Sequence, residues 1–588
     1  MRRRARWAMA TALLLAAAGC DGGDGETDAG TPGDAGPDVD AGADGGVPDA
    51  GEPDAGPFEP DSYCPGAPGC ETGSGGTLEV GAAAVAITPT IDDTTDIITV
   101  DVDGDGEFEP GDGDEFADRD GVPGFQGVWI AGFGNARAAS GVHDDLWARA
   151  IAMRNGDTTI VLVVLDLVGW FRTDMEPIRE RVVDLDIDHV AIGATHTHQG
   201  RDTIGIWGIT STTSGADAAY NETVHERAAQ AIRDAIDDLR PANVQYANVD
   251  LRDRGDVTRW VGDLRDPIIL DPEMRIMRFV EAGGDATIAT LVNFGAHAEY
   301  LDDENTLISS DWPHWFREGI ENGVDGPDGS PVEGVGGVAV LVQSAIGGQI
   351  GPNGLSVETW EGTPLEQNDD VYRWTETVGE QLAYFALDAL GDGGGSTTDE
   401  TAALGYRTKT FYVDVQNTGY HVAILNRLFL REGHNWDPDS VLIPGENEPD
   451  LLCEVTVLDV GRAQWMTIPG ELDPQLYLGG YDGSYTPDGV DIVHPDNPNP
   501  PDLSMAPEGP YLRDLARADA EQVWVLGLTN DYLGYFVPEY NYVLSEETPY
   551  LSEAPGDHYE ETNSVGIDGW PTVRRELEAL IAWTPDGD

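Results

Sequence analysis

Two histidines separated by one residue, His196 and His198, follow the apolar segment at residues 188–194. The apolar segment predicts a β-strand, and side chains two positions apart on a strand point to the same side. Neutral imidazole is the commonest metal ligand in proteins and the usual acid–base group near neutral pH. The pair therefore fits a metal or catalytic site, and it equally fits two buried, hydrogen-bonded core histidines.

Further polar residues stand at the ends of other predicted strands. His297, Glu471 and Tyr535 each follow a strand-like apolar segment, and the glycine-rich loop at residues 343–353 follows another. Sheets of α/β proteins hold their binding and catalytic sites at strand ends of this kind. These segments are therefore predicted to meet at one site.

From about residue 77, apolar β-rich segments alternate with amphipathic helical patterns. The predicted strands occupy residues 78–87, 158–167, 189–194, 275–280, 288–294 and 338–342, and the predicted helices occupy residues 175–183, 222–239, 312–320 and 371–390. Continuous apolar runs such as residues 160–165 are typical of strands covered on both faces. The alternation predicts one large α/β domain over residues 77–588, with mixed or parallel sheets flanked by helices.

The first 20 residues have the features of a secretory signal. Arginines at positions 2–4 precede an apolar run, and small residues stand directly before Cys20, as in the bacterial lipobox. The run is too short to cross a bilayer comfortably, which favours cleavage. We expect an exported lipoprotein anchored through Cys20, in the periplasm, the outer membrane or at the cell surface. An ordinary cleaved signal peptide is the alternative.

Residues 21–76 are rich in Asp, Gly, Ala and Pro, with Asp-Ala-Gly recurring. Such a composition buries too little apolar surface to fold, so we predict a flexible tether. Cys64 and Cys70 are close enough in sequence to close a small disulfide loop in an exported chain. Cys453 lies in an apolar segment and is predicted to be a buried free thiol.

The net charge of the chain is −76 at pH 7, and Lys409 is its single lysine. A surface of this charge repels phosphate backbones and anionic lipid headgroups. We therefore expect no nucleic-acid partner, and contact with a membrane through the lipid anchor alone.

The acidic segment at residues 101–120 contains the pattern Asp-x-Asp-x-Asp-Gly of calcium-binding loops. The possible calcium ligands are Asp101, Asp103, Asp105, Glu109 and Asp112. The residues before this loop predict a strand, so the flanking helices of an EF-hand are absent. We expect a structural calcium ion here, with a solvated acidic hairpin loop as the alternative.

The order and spacing of several motifs resemble those of the neutral (non-lysosomal, zinc-dependent) ceramidase family across most of residues 78–570. The matching segments are residues 141–150, 194–198, 294–298, 309–311, 468–471 and 529–535. This resemblance implies the fold of that family and hydrolysis of a linear amide such as ceramide. It also implies a lipid or small-molecule amide as substrate.

Carried over segment by segment, the resemblance implies a zinc ion with four ligands. These ligands are His196, His297, Glu471 and Tyr535. It further implies that His198 is an outer-sphere or acid–base residue, that Tyr559 lies near the reacting carbonyl, and that Arg259 lies at the pocket. Asp311 is interpreted as an outer-sphere group or as the N-cap of the helix predicted at residues 312–320.

The chain departs from the family at the nucleophile. The family's serine lies in a Gly-Asp-x-Ser-Pro-Asn loop, whereas residues 348–353 read Gly-Gln-Ile-Gly-Pro-Asn. Gly351 therefore occupies the serine position, and Gln349 replaces the acid. Because glycine has no nucleophilic side chain, we expect a zinc-bound hydroxide to attack instead.

These observations predict a zinc-dependent hydrolase of a ceramide-like N-acyl amide. The alternative, favoured by Gly351, is a catalytically inactive relative that binds a lipid or a surface ligand. A metal-dependent phosphatase or sulfatase is a third hypothesis, because such α/β folds also collect His, Asp and Glu at strand ends. Their nucleophile motifs are not evident in the sequence.

Overall fold

The computed structural model describes residues 76–583 except 93, 103–105, 112, 118, 120–124, 264, 352–354, 368–369, 392 and 444. The predicted signal peptide, lipidation at Cys20, the tether up to residue 75 and the Cys64–Cys70 disulfide lie outside the described residues. Within the described residues, no helix has the length and apolar character needed to cross a bilayer.

The strands are β1 (Glu79–Ala86), β2 (Ile97–Val100), β3 (Glu115–Ala117), β4 (Gly141–Val142), β5 (Trp147–Asn155), β6 (Thr158–Leu165), β7 (His189–Ala194), β8 (Arg240–Asp250), β9 (Glu273–Glu281), β10 (Thr287–Phe294), β11 (Leu307–Ile308), β12 (Gly323–Asp325), β13 (Pro331–Glu333), β14 (Val338–Gln343), β15 (Thr397–Asp399), β16 (Leu404–Asp414), β17 (Asp450–Val460), β18 (Ala463–Thr467), β19 (Glu471–Leu472), β20 (Gln522–Leu526) and β21 (Tyr535–Phe536). The α-helices are α1 (Arg172–Arg181), α2 (Ala218–Asp237), α3 (Trp312–Asn322), α4 (Val371–Leu390), α5 (Thr418–Leu425), α6 (Pro474–Leu478), α7 (Tyr559–Thr562) and α8 (Gly569–Ala582).

A large mixed sheet forms the centre of the fold. Among the described residues it has nine strands, in the order β14-β10-β9-β8-β1-β5-β6-β7, with β15 paired to β8. The pairs β10–β14 and β6–β7 are parallel, and the other pairs along this order are antiparallel. Strands β1 and β8 pair through two residues each, Glu79 and Val80 with Pro241 and Arg240. The sheet therefore consists of two halves joined at one short contact.

A second sheet, β16-β17-β18-β20, packs against both halves of the first. Leu162 of β6, Leu291 of β10 and Trp465 of β18 belong to one buried cluster. Both halves of the first sheet and the second sheet contribute side chains to this cluster. Helices α1 and α2 cover the β5–β7 half, α3 and α4 cover the β8–β14 half, and α8 packs on the four-stranded sheet. The predicted α/β class, with mixed sheets flanked by helices, is confirmed.

Most predicted elements are present, with shifted ends. Helix α4 matches the prediction, whereas α2 begins at Ala218, four residues before the predicted start, because the Asp217 carboxylate accepts a hydrogen bond from the Ala219 amide (2.8 Å) and caps the helix. Strands β5, β8, β16 and β17 were not predicted. Polar residues interrupt β8 and β16 in sequence, so neither reads as a continuous apolar run.

Two short backbone pairings bring distant strand ends together. Thr197 and Ala298, which follow β7 and β10, form a parallel bridge. Strands β19 and β21 pair in parallel, with Glu471 directly opposite Tyr535. Side chains of opposite residues lie side by side on a sheet, so one pairing brings His196 towards His297 and the other sets Glu471 beside Tyr535.

Asp311 caps helix α3, as one of its two interpretations predicted. Its carboxylate accepts hydrogen bonds from the amides of Trp312 (2.6 Å), Tyr300 (3.0 Å) and Leu301 (2.8 Å). All four residues are buried. One side chain therefore connects the start of α3 to the loop that follows His297.

Replacing Asp311 by alanine should lower the free energy of unfolding by about 2–4 kcal/mol, because a cap is lost and buried amides lose their acceptor. Asp311→Asn keeps one acceptor oxygen and should cost about half as much. Urea unfolding followed by circular dichroism measures both values. Equal stability of Asp311→Ala and the wild type would contradict this role.

Candidate metal centre

The imidazoles of His196, His198 and His297 form a buried cluster in which one ring nitrogen of each residue lies within 4.8 Å of the others. Strand β7 ends at Ala194, before the first two histidines, so strand alternation does not align them. The backbone of His196 instead has a φ of 63°, in the left-handed region. After this turn the Nε2 atoms of His196 and His198 are 3.1 Å apart.

The carboxylate of Glu471 and the hydroxyl of Tyr535 complete the centre. Glu471 Oε2 lies 3.4 Å from His196 Nε2 and 3.0 Å from His297 Nε2. The Tyr535 hydroxyl lies 3.3 Å from His297 Nε2. The structure thus brings together the four residues that the sequence predicts as zinc ligands.

The outer nitrogens of two imidazoles face backbone carbonyls. His196 Nδ1 faces the Val168 oxygen, and His297 Nδ1 lies 3.0 Å from the Gln349 oxygen. Because a carbonyl oxygen can only accept, we assign a proton to each Nδ1; in the neutral rings, the form that binds a metal, this leaves a lone pair on each Nε2. These lone pairs point at the Glu471 carboxylate, which is also an acceptor.

Acceptors that face one another at 3.0–3.4 Å repel unless a cation lies between them. Donors around a tetrahedral zinc ion with bonds of about 2.0 Å are about 3.3 Å apart. Imidazole nitrogen and carboxylate oxygen are both ordinary zinc donors. The residues present therefore fit a divalent metal ion.

The electrostatic surroundings set the protonation states of Glu471, His198 and Tyr535. Burial alone would raise the pKa of Glu471, but His196 and His297 hold it well below its usual 4.5. Burial, followed by repulsion from these two imidazoles, lowers the pKa of His198 well below 6.5. Burial raises the pKa of the Tyr535 phenol well above 10. The Glu471 carboxylate is thus anionic at pH 7, as metal binding requires, while the His198 ring is neutral and the Tyr535 phenol keeps its proton in the metal-free site.

Two further residues contact this centre, and neither of them was assigned a role from the sequence. The Tyr532 hydroxyl donates a 2.8 Å hydrogen bond to Glu471 Oε1, and the Glu299 carboxylate lies 3.1 Å from His198 Nδ1. Tyr532 lies inside the family-like segment at residues 529–535, which was a usable signal. Glu299 directly follows the segment at residues 294–298, and its residue type alone gave no signal.

Replacing Tyr532 by phenylalanine should weaken divalent-metal binding by about 10- to 100-fold, because partners of metal-binding side chains typically contribute that much. The phenyl ring fills the same space, so the loss reports the hydrogen bond to Glu471. Titration with Zn²⁺ against a competing chelator measures the affinity. Tyr542→Phe is a matched control, because the Tyr542 hydroxyl bonds Ser564 instead (2.7 Å). An unchanged affinity in Tyr532→Phe would contradict the role.

The remaining predicted site residues lie at different places. The Tyr559 hydroxyl is 3.1 Å from the Tyr535 hydroxyl, at the edge of the centre. Arg259 forms an ion pair with Glu358 (2.6 Å), and no hydrogen bond or ion pair between described residues connects it to the histidines. The structure therefore brings Tyr559 to the centre but not Arg259.

Position 351 has no room for a side chain. A Cβ on Gly351 would lie 2.2 Å from Cε1 of Tyr300, a fully buried ring whose hydroxyl donates to the Trp260 carbonyl (2.8 Å). Gln349 of the same loop accepts hydrogen bonds from both the backbone nitrogen (3.1 Å) and Nδ1 of His297. In this structure the loop therefore supports the His297 ring.

The predicted calcium loop is described in part. Asp101 accepts a hydrogen bond from the Gly106 amide (2.9 Å), while Asp103, Asp105 and Asp112 lie outside the described residues. Calcium binding stays a prediction.

Cys453 is a buried free thiol, as predicted.

Residues 123–362 match the family model described as neutral/alkaline non-lysosomal ceramidase, N-terminal. A search of curated proteins finds no match. The crystal structure of neutral ceramidase from Pseudomonas aeruginosa is similar, with a TM-score of 0.54 and 14% identity, over 86% of this chain and 74% of that one. A ceramidase complexed with C2 has a TM-score of 0.55 and 14% identity, over 87% of this chain and 77% of that one.

At 14% identity these structures establish the fold alone. The family match covers the segments that carry His196, His198 and His297. The resemblance of this chain to the neutral/alkaline non-lysosomal ceramidases is therefore confirmed, by its sequence over residues 123–362 and by its fold over most of its length.

Proposed function

We propose that the chain is a zinc-dependent hydrolase that cleaves the amide bond of a ceramide-like N-acyl substrate. The family match and the fold support a hydrolase. The observation that carries the metal-dependent part is the convergence of His196, His297, Glu471 and Tyr535, whose acceptor atoms face one another in a buried site.

In this proposal these four residues bind the metal, and neighbouring groups fix the orientation of three of their side chains. The Val168 and Gln349 carbonyls fix the two imidazole rings, and the Tyr532 hydroxyl fixes the Glu471 carboxylate. When bound, zinc supplies a Lewis acid for a carbonyl group and lowers the pKa of water to about 7. Residues fixed in this way do not have to reorganise during the reaction.

Tyr559 is the residue we assign to the substrate. Its hydroxyl lies beside that of Tyr535 and is able to donate a hydrogen bond to the amide oxygen as negative charge develops there. Burial raises the pKa of Tyr559 well above 10, so the phenol keeps its proton at neutral pH. Position 351 offers no side-chain nucleophile, and we therefore propose water as the attacking group.

We further propose that the enzyme is exported and anchored through Cys20, with a lipid amide as its substrate. A tether of about 55 residues between the anchor and the domain would keep the site within reach of a membrane. The net charge of −76 supports the absence of a nucleic-acid partner.

The test is metal-dependent amide hydrolysis by the purified full chain. The protein is stripped with a chelator and assayed with short-chain ceramide and simpler N-acyl amides, and the released fatty acid and amine are quantified. We expect release that disappears on stripping and returns with stoichiometric Zn²⁺. Zinc-loaded protein that releases nothing from any of these amides would refute the proposal.

The second candidate is a binding protein that retains the centre but does not cleave. It is favoured by Gly351 and by the Tyr300 ring that fills the space next to it. In that case the zinc-loaded chain should bind short-chain ceramide without turnover, which equilibrium binding and the product assay distinguish.

A further inference from the structure

Helix α7 carries Tyr559, the residue that we assign to the substrate, and it is only four residues long. A helix of one turn forms few internal hydrogen bonds and is not stable by itself. Its N-cap residue, His558, supplies no side-chain hydrogen bond that would cap it. Contacts with the rest of the chain must therefore hold α7 in place and determine where the Tyr559 side chain points.

A buried arginine, Arg265, binds two consecutive side chains of this helix. Its Nη1 donates to Glu560 Oε2 (2.6 Å) and to Glu561 Oε2 (3.1 Å), and its Nη2 donates to Glu561 Oε1 (2.9 Å). The side chains of all three residues are at most 2% exposed. Charged side chains are almost never buried to this extent unless they are paired. The burial of each of these groups therefore depends on the other two.

Arg265 lies between β8 and β9, far from α7 in sequence, and is itself held by its neighbours. Its Nη2 also donates to the Asn541 carbonyl (2.9 Å), and the Asn541 side chain donates to the Asp266 carbonyl (2.7 Å). Glu561 Oε1 further accepts a hydrogen bond from the Val543 amide (3.0 Å). The network therefore ties α7 to two other segments of the chain.

The two anchored glutamates fix the direction of Tyr559. Successive side chains of an α-helix are about 100° apart around its axis, so holding Glu560 and Glu561 prevents rotation of the helix. The Tyr559 hydroxyl lies 3.1 Å from that of Tyr535, and the two ring centroids are 5.6 Å apart. Without the guanidinium, two adjacent carboxylates would remain buried without their cation, which is strongly unfavourable. The helix would then shift to bring them to water, and Tyr559 would move with it.

We propose that Arg265 is a positioning residue of the hydrolase, which acts through Glu560 and Glu561 to hold the Tyr559 hydroxyl at the amide oxygen. The Nη atoms of Arg265 are directed to these carboxylates and to a backbone carbonyl, and its Nε lies 4.0 Å from Asp473. The guanidinium therefore acts on the reaction through α7 and does not contact the substrate. This inference rests on the proposed function, because it requires a bound amide.

The first measurement is a double-variant cycle on the zinc-loaded full chain, with short-chain ceramide as substrate. Tyr559→Phe removes the proposed donor and should lower kcat by about 100- to 1000-fold. Arg265→Met should lower kcat by about 100-fold with little change in KM, because a displacement of about 1 Å can cost that much. The double variant should stay within about threefold of Tyr559→Phe, since the donor that Arg265 positions is already absent. Losses that multiply would overturn the inference.

The second measurement does not depend on turnover. Hydrogen exchange followed by mass spectrometry reports how firmly the backbone of residues 557–563 is held. We expect exchange in this segment to be at least about tenfold faster in Arg265→Met than in the wild type. Equal exchange in the two proteins would show that Arg265 does not hold α7, and the inference would be wrong.

Arg407→Met is the matched control for both measurements. Arg407 is also a buried arginine, and it pairs with Asp459 (2.6 Å) in the four-stranded sheet. Its replacement should leave kcat and the exchange of residues 557–563 at wild-type values. If Arg407→Met lowered kcat and accelerated this exchange as much as Arg265→Met does, the effect would be general destabilisation and the inference would fail.

Arg265→Lys keeps the cycle informative if Arg265→Met does not fold. Lysine retains the charge but not the planar fork that bridges both carboxylates, so kcat should fall by about tenfold. This loss should also vanish in the Tyr559→Phe background, and its persistence there would contradict the inference.

The outcomes separate the two proposals. A zinc-loaded wild type that hydrolyses no amide overturns the proposed function and this inference with it. Hydrolysis by the wild type, together with multiplying losses or with unchanged exchange in α7, overturns this inference alone. Hydrolysis, a coupled cycle and faster exchange in Arg265→Met support both.

Discussion

Replacing His297 by alanine should abolish stoichiometric zinc binding and reduce amide hydrolysis by at least about 1000-fold. Removing a direct donor of the proposed centre should weaken metal binding and activity by more than the 10- to 100-fold that is typical when an outer-sphere partner is removed. The His297 ring contacts Glu471, Tyr535 and the Gln349 carbonyl, so its removal eliminates all three contacts as well as the donor nitrogen. Metal analysis of the purified variant and the amide-release assay measure the two effects.

His494→Ala is the control for this experiment. The His494 side chain is exposed and bonds Asp266 (2.8 Å), outside the histidine cluster. It should keep one zinc ion per chain and wild-type hydrolysis. If His297→Ala retained stoichiometric zinc with a wild-type melting curve, the proposed centre would be wrong.

Installing serine at Gly351 should destabilise the protein and should not create a more active enzyme. The new Cβ would lie 2.2 Å from the Tyr300 ring, and relief of such overpacking typically costs about 1–3 kcal/mol. The Tyr300 ring is fully buried and its hydroxyl donates to the Trp260 carbonyl, so a shift of the ring would disturb its packing and this hydrogen bond. Thermal unfolding and the amide-release assay measure the two effects.

The variant Gly351→Ala separates the steric effect of an added Cβ from the chemical effect of a serine hydroxyl. Alanine adds the same Cβ without a hydroxyl, and it should destabilise as much as serine does. The double variant Tyr300→Ala/Gly351→Ser should show a coupled effect, because Tyr300→Ala removes the clash that the serine creates. Ceramidase activity gained by Gly351→Ser alone would contradict the steric argument.

Much of the candidate centre was predictable because its residues lie in short segments of fixed order. Glu471 and Tyr535 come from segments whose order and spacing resemble the family's motifs, and the β19–β21 pairing sets them opposite each other. The two imidazoles of His196 and His198 lie together as predicted, but the reason given for it, alternation along a strand, was wrong. They meet through a left-handed turn after the strand, and sequence alternation carries no information about such a turn.

Glu299 and Tyr300 show where sequence reasoning ended. The chain has 108 acidic residues, so one more glutamate looks like another solvated charge until its burial is known. The contact between Tyr300 and Gly351 joins residues about 50 positions apart, and no local pattern encodes that steric fit. Strand β8 was missed for a related reason, because its partners in the sheet, and not its own residues, determine its structure.

The two-residue ladder between β19 and β21 has an evolutionary consequence. Glu471 and Tyr535 are held by that ladder, while the chain between them makes a long excursion that includes residues 481–510. Closing a longer loop costs little additional entropy. Insertions at the exposed residues 488–491 should therefore be tolerated without displacing either side chain, which makes this part of the excursion a place where relatives are free to diverge in length.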